Sequence, residues 1–173
     1  MPAVPVPNLL AYLRGTWRLR RTIVDHRAAR TLTAEGTARW ADAPGGASAA
    51  GSATSGAGLA AAGSAGGGAT ALSYCEECVV QGLGAAAVPA RASYVYAAVR
   101  GAPSAAAVAF PDGRPFHDLD LATGDSGEIA HACAPDAYAG RVVATGAHTL
   151  TVEWRVTGPA KDYVAVTQLS REL

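Results

Sequence analysis

Gly15-Thr-Trp-Arg-Leu-Arg-Arg-Thr-Ile23 is the stretch that decides the fold. Trp17, Leu19, Arg21 and Ile23 alternate with Thr16, Arg18, Arg20 and Thr22. A period of two places the first set on one face of a β-strand and the second on the other. Immediately upstream the period changes. Leu9, Leu10 and Leu13 share one face at helical spacing, Asn8 supplies a side-chain cap, and Gly15 stops the turn. The reading is a short helix over Asn8–Arg14 that feeds directly into a half-buried strand.

Downstream the strand signal recurs. A second strand is expected from about Thr31 to Ala41, with Leu32 and Trp40 as its bulky members. Further runs cover 71–81, 90–99, 105–110, 114–121, 127–132, 137–145, 148–156 and 162–171. Turn signals separate them: Gly101-Ala-Pro103, Pro111-Asp-Gly113, Thr123-Gly124-Asp125, Pro135-Asp136 and Gly158-Pro159. About ten short strands joined by tight turns indicate an up-and-down barrel or a sandwich. No long helical pattern lies between them, which disfavours a parallel α/β sheet.

Residues 44–70 interrupt this cadence. All but four of these 27 residues are Ala, Gly or Ser, and they carry too little apolar surface to offset their ordering entropy. They read as a flexible insertion in a hairpin loop of one domain spanning 1–173. The 43 residues before them are too few to fold alone.

Composition narrows the function. Fourteen basic residues balance fourteen acidic ones, without the basic excess that phosphate neutralisation demands, so nucleic acid is not an expected partner. No apolar run approaches the roughly 20 residues of a membrane helix. Met1–Leu13 has no basic region and is broken by Pro2, Pro5 and Pro7, unlike a signal peptide. Three cysteines, Cys75, Cys78 and Cys133, do not form a disulfide framework. A reducing, cytoplasmic setting follows as the expectation.

Two ends of the chain choose barrel over sandwich. Gly15-Thr16-Trp17 opens the first strand after a short helix, and Arg171 ends the last. This resembles the calycin pattern, in which a Gly-x-Trp packs under a basic residue from near the last strand. The resemblance implies an all-β, antiparallel, calycin-like (lipocalin-like) barrel of about 8–10 strands with a short N-terminal helix. It also implies that Trp17 and Arg171 close one end through a cation over an indole face. Further motifs are Phe110-Pro-Asp-Gly-Arg-Pro-Phe-His117, His131-x-Cys133-x-x-Asp136-x-Tyr138, Trp154-x-Val156-x-Gly158-Pro159 and Lys161-Asp162-Tyr163. They resemble an uncharacterised family of small bacterial and algal proteins with a calycin-like fold. That resemblance implies no activity and no catalytic residue.

The candidate site is drawn from the motif-dense second half. Alternation puts His117 with Leu119 and Leu121, facing inward, and Asp118 and Asp120 outward. It groups Tyr138 with Val142, and Leu150 with Val152 and Trp154. His117, His131 and Tyr138 are the expected interior polar groups. Arg21, on the face of Trp17, and Lys161, the only lysine, complete the ligand-binding set. Lys161 and Asp162 are expected to pair locally at a turn.

Metal binding is not the preferred reading. His131, Cys133 and Asp136 fall short of the about four ligands a zinc site wants. Cys75-Glu-Glu-Cys78 has redox spacing, but two residues three apart on a strand face opposite sides. No nucleophile elbow, phosphate loop or dinucleotide fingerprint is present. Three functions remain. The leading one is a barrel binding a small apolar or amphipathic molecule, its ligand and any cofactor unknown. The second is a small enzyme using an interior His and Tyr. The third is a filled barrel that serves as a protein-interaction module.

Overall fold

The computed structural model describes residues 2–43 and 70–171. The expected Ala/Gly/Ser-rich insertion at 44–70 therefore falls, except for Thr70, outside the described residues. One short helix, α1 (Leu9–Leu13), precedes ten strands. These are β1 (Gly15–Asp25), β2 (Arg30–Asp42), β3 (Ala71–Gln81), β4 (Val88–Val99), β5 (Ala102–Ala109), β6 (Pro115–Asp120), β7 (Ile129–Cys133), β8 (Asp136–Gly146), β9 (Thr149–Thr157) and β10 (Asp162–Ser170).

The strands form one antiparallel sheet in the order β6-β5-β4-β3-β2-β1-β10-β9-β8-β7. Consecutive strands are neighbours except β6 and β7, and the first pairs with the last along Arg18↔Ser170 to Asp25↔Tyr163. The free edges are thus β6 and β7, and the barrel is closed everywhere but at that seam. A sheet that curls until its edges meet hides nearly all of its ladder groups.

Two devices cover the seam. The segment after β6 runs along the edge of β8, with Ser126 N donating to Val142 O (2.9 Å) and Ala144 N donating to Gly124 O (2.8 Å). The N-terminal strap then crosses both sides. Val4 N donates to Ala144 O (2.8 Å), and Val6 N donates to Leu121 O (2.9 Å). Gly124 has φ +84°, and a Cβ there would collide with the Val4 backbone, so this crossing needs glycine.

α1 plugs one end. Asn8 Oδ1 accepts from Ala11 N (3.0 Å), capping the single turn, and Leu9, Leu10 and Leu13 are buried. Trp17 is fully buried beneath it, and its Nε1 donates to Leu13 O (2.7 Å). The Arg171 guanidinium lies 4.5 Å from the Trp17 ring centroid, and its Nη1 donates to Arg14 O (2.7 Å). A cation in this position is attracted by the ring quadrupole.

Candidate functional site: the barrel interior

The inner faces of the strands enclose a cavity of about 640 Å³. Its floor is Leu13 and Trp40, and its mouth lies at the end carrying the β1–β2, β3–β4 and β9–β10 turns, opposite α1. The volume sits inside the 300–1,000 Å³ range of small-molecule pockets. It remains open because β2 presents Ala34, Gly36 and Ala38 inward instead of large side chains.

The lower wall carries a charged network that uses most of its own capacity. Arg21 Nη1 and Nη2 donate to Glu76 Oε1 and Oε2, both at 2.8 Å. Arg21 Nε donates to Thr167 Oγ1 (2.7 Å), and Tyr74 OH donates to Glu76 Oε2 (2.6 Å). Glu76 is only 5% exposed. Burial alone would push its pKa up, but the guanidinium bonds and charge outweigh burial and hold the carboxyl below its ordinary value. Tyr74 is driven well above the ordinary phenol range by burial and by the adjacent carboxylate.

Aromatic rings form the upper wall. Tyr74, Tyr94, Phe116 and Trp154 follow one another in near-parallel contacts with centroids 5.8, 5.1 and 5.3 Å apart. A β-bulge brings Phe116 inward. Val108 pairs with His117 and Ala109 with Pro115, which leaves Phe116 as the extra residue. Phe116 and His117 consequently both line the cavity, where strict alternation would send one of them outward.

The structure separates the sequence-derived candidates. Arg21, His117, Tyr138 and Lys161 all line the cavity. His117 Nδ1 contacts Asp118 O (3.0 Å), and burial lowers its pKa. His131 does not line the cavity. Its Nδ1 contacts Phe116 O (2.8 Å) across the β6–β7 seam, and its ring packs edge-on to Phe116 with centroids 4.8 Å apart. Half-buried there, it clasps the two free edges.

Lys161 does not pair with Asp162 as the sequence suggested. Its Nζ sits 2.7 Å from Asp136 Oδ2 and donates to Tyr138 OH (2.9 Å), because the turn before β10 folds Lys161 toward the start of β8. Both contacts raise the lysine pKa. Asp136 is thereby committed to Lys161 and His131 to the seam. Cys75 is exposed and Cys78 buried, on opposite faces of β3.

Sequence reasoning missed Glu76 and the aromatic wall. The signal for Glu76 was present, since Tyr74, Glu76 and Cys78 alternate, but the flanking cysteines drew the reading of that motif.

Residues 13–171 match the family of unknown function DUF6314. The chain belongs to that family. No curated protein sequence matches it. Among solved structures, this DUF6314 member is similar to the S-type phycobiliprotein lyase CPES from Guillardia theta. The TM-score is 0.60 at 10% identity, over 98% of this chain and 94% of that one. It is also similar to a protein of unknown function from the DUF3598 family of Nostoc punctiforme, at TM-score 0.50 and 10% identity. That alignment covers 98% of this chain and 49% of the other, so the DUF6314 barrel spans about half of that protein. At such identities the likeness is one of fold.

Proposed function

We propose that this DUF6314 barrel binds a small, partly apolar, planar molecule inside the cavity. The observation that carries the reading is the cavity itself, about 640 Å³ with aromatic rings in its upper wall and a charged network in its lower wall. A filled interaction module would have large side chains in this space. Flat rings such as Phe116 and Trp154 favour a flat partner, while Arg21, His117 and Tyr138 supply the few polar groups that orient a ligand. The similar fold of a phycobiliprotein lyase accords with this reading through architecture alone.

A second reading rests on His117. With Nδ1 donating to the Asp118 carbonyl, Nε2 is the acceptor nitrogen of a neutral ring in the cavity wall. An enzyme acting on the bound molecule would use that nitrogen as a base.

Native mass spectrometry, with an absorbance spectrum, of protein purified from its own host tests the first reading. The expected result is a bound species of defined extra mass that is displaced by unfolding. A uniformly apo mass, with no small planar probe binding the cavity, overturns it. His117→Ala separates the two readings: retained affinity with lost turnover favours the enzyme.

A further inference from the structure

Hydrogen-bond donors and acceptors in the cavity wall are unequally engaged. Most acceptors are already engaged, Asp162 Oδ1 at the start of β10 being the buried exception among the described residues. Glu76 takes two bonds from Arg21 and one from Tyr74, and Asp136 takes Lys161. Donors are left over. Arg21 spends three of its five N–H groups on Glu76 and Thr167, and the rest have no protein acceptor among the described residues. The hydroxyls of Tyr94 and Tyr163, both in the cavity wall, make no hydrogen bond to the protein among the described residues. Lys161 stands at the mouth above them with one N–H beyond its two bonds.

We propose that the ligand carries a carboxylate, received by Arg21 together with the hydroxyls of Tyr94 and Tyr163, with its apolar body along Phe116 and Trp154. This rests on the cavity being a ligand site. A carboxylate is acceptor-only and can take several donors at once. Burial keeps Tyr94 and Tyr163 protonated above the ordinary phenol value, so both stay donors through neutral pH. An amine would find one unpartnered carboxylate oxygen among the described residues, Asp162 Oδ1 at the mouth, five positions along β10 from the Thr167 that pairs with Arg21. Charge-assisted bonds to a guanidinium are the stronger kind, so the headgroup preference is expected to be about tenfold or more.

Three probes with one fluorophore test this: 1-pyrenebutyrate, 1-pyrenebutanol and 1-pyrenebutylamine, titrated against the whole chain by pyrene emission. The carboxylate is expected to bind about tenfold tighter than the alcohol, and the amine weakest. Tyr94→Phe/Tyr163→Phe, which leaves the ion pair intact, is expected to reduce that preference several-fold, the carboxylate losing more affinity than the alcohol. Arg21→Met/Glu76→Met, checked for folding by circular dichroism, is expected to abolish it. Equal binding of all three probes, preference for the amine, or a preference untouched by both variants overturns the carboxylate assignment alone. If none of the three binds, the ligand-site reading fails and the assignment falls with it.

Discussion

Arg21 on β1 and Glu76 on β3 meet in a two-pronged ion pair although β2 runs between their strands. The pair can form because β2 offers only Ala34, Gly36 and Ala38 beneath it, and because β3 packs close against Gly36. A Cβ there would collide with the β3 backbone at Glu77 and Cys78. Removing one partner strands the other charge in a largely buried place, which costs about 3–5 kcal/mol, whereas replacing both with apolar groups is far milder. Glu76→Ala is therefore expected to lower the urea midpoint much more than Arg21→Met/Glu76→Met. The single variants are expected to be strongly non-additive in a double-mutant cycle. Glu76 titrates below its ordinary value when folded, so its share of stability is complete above that ordinary value and is lost as pH falls through the lowered one.

At the α1 end, Arg171 joins three elements through the Trp17 ring, the Arg14 carbonyl and His148 Nδ1, which accepts from its Nε (3.3 Å). Arg171→Ala should cost about 1–3 kcal/mol, the sum of a cation–aromatic contact and a charge-assisted hydrogen bond. Arg171→Lys should recover part of the ring contact without the two-armed reach. Urea denaturation followed by tryptophan emission reads both. Equal stability of wild type and Arg171→Ala would mean that α1 and Trp17 seal the barrel unaided.

The three thiols offer a check on strand orientation. Cys75 and Cys133 are exposed, while Cys78 is buried and its thiol is pushed up by burial and by Glu76. Native protein treated with iodoacetamide at pH 8 is expected to be alkylated at Cys75 and Cys133 well before Cys78, as peptide mass spectrometry would show. Rapid labelling of Cys78 would mean that β3 is turned over, with Glu76 outside.

Most of the barrel was legible because large inward residues mark its strands. Trp17 and Leu19 on β1, and Leu119 and Leu121 at β6, sit where alternation puts them. What alternation could not supply is anything that depends on pairing. The bulge that turns Phe116 inward beside His117 exists only relative to β5. His131 sits at a sheet edge, and sequence does not say which edges meet, so an expected cavity residue proves to lie at the seam. Lys161 reaches Asp136, 25 positions back in the chain, across β8 and β9, a contact that no local reading contains.

His117 gives a pH-dependent expectation. Burial lowers its pKa, so the folded state disfavours the imidazolium that the unfolded chain accepts below about 6.5. Its contribution is fully present above the unfolded value and declines as pH falls toward the folded one. The His117 ring resonances should accordingly titrate below those of a model imidazole, and stability should fall as pH drops below about 6.5. His117→Gln should flatten that slope. A folded His117 titrating above 6.5 would show instead that the cavity wall stabilises the charge.

Gly140 couples the sheet to the cavity wall. It pairs with Trp154 across β8 and β9, and a Cβ at Gly140 would lie 2.6–2.8 Å from the Trp154 ring carbons. The indole thus lies flat over the glycine, which holds it against Phe116 instead of across the lumen. Gly140→Ala is expected to lift the ring into the cavity, because the backbone of a paired central strand yields less readily than a side-chain torsion. Two changes should follow together: a shift in tryptophan emission, and a loss of at least about tenfold in affinity for the best-binding pyrene probe, with global stability reduced by only about 1–2 kcal/mol. The same substitution combined with Trp154→Phe, which has less ring to displace, should restore much of the binding. If Gly140→Ala leaves affinity unchanged while the emission shifts, Trp154 moves without narrowing the space the probe occupies, and the probe lies against the Tyr94 side of the cavity.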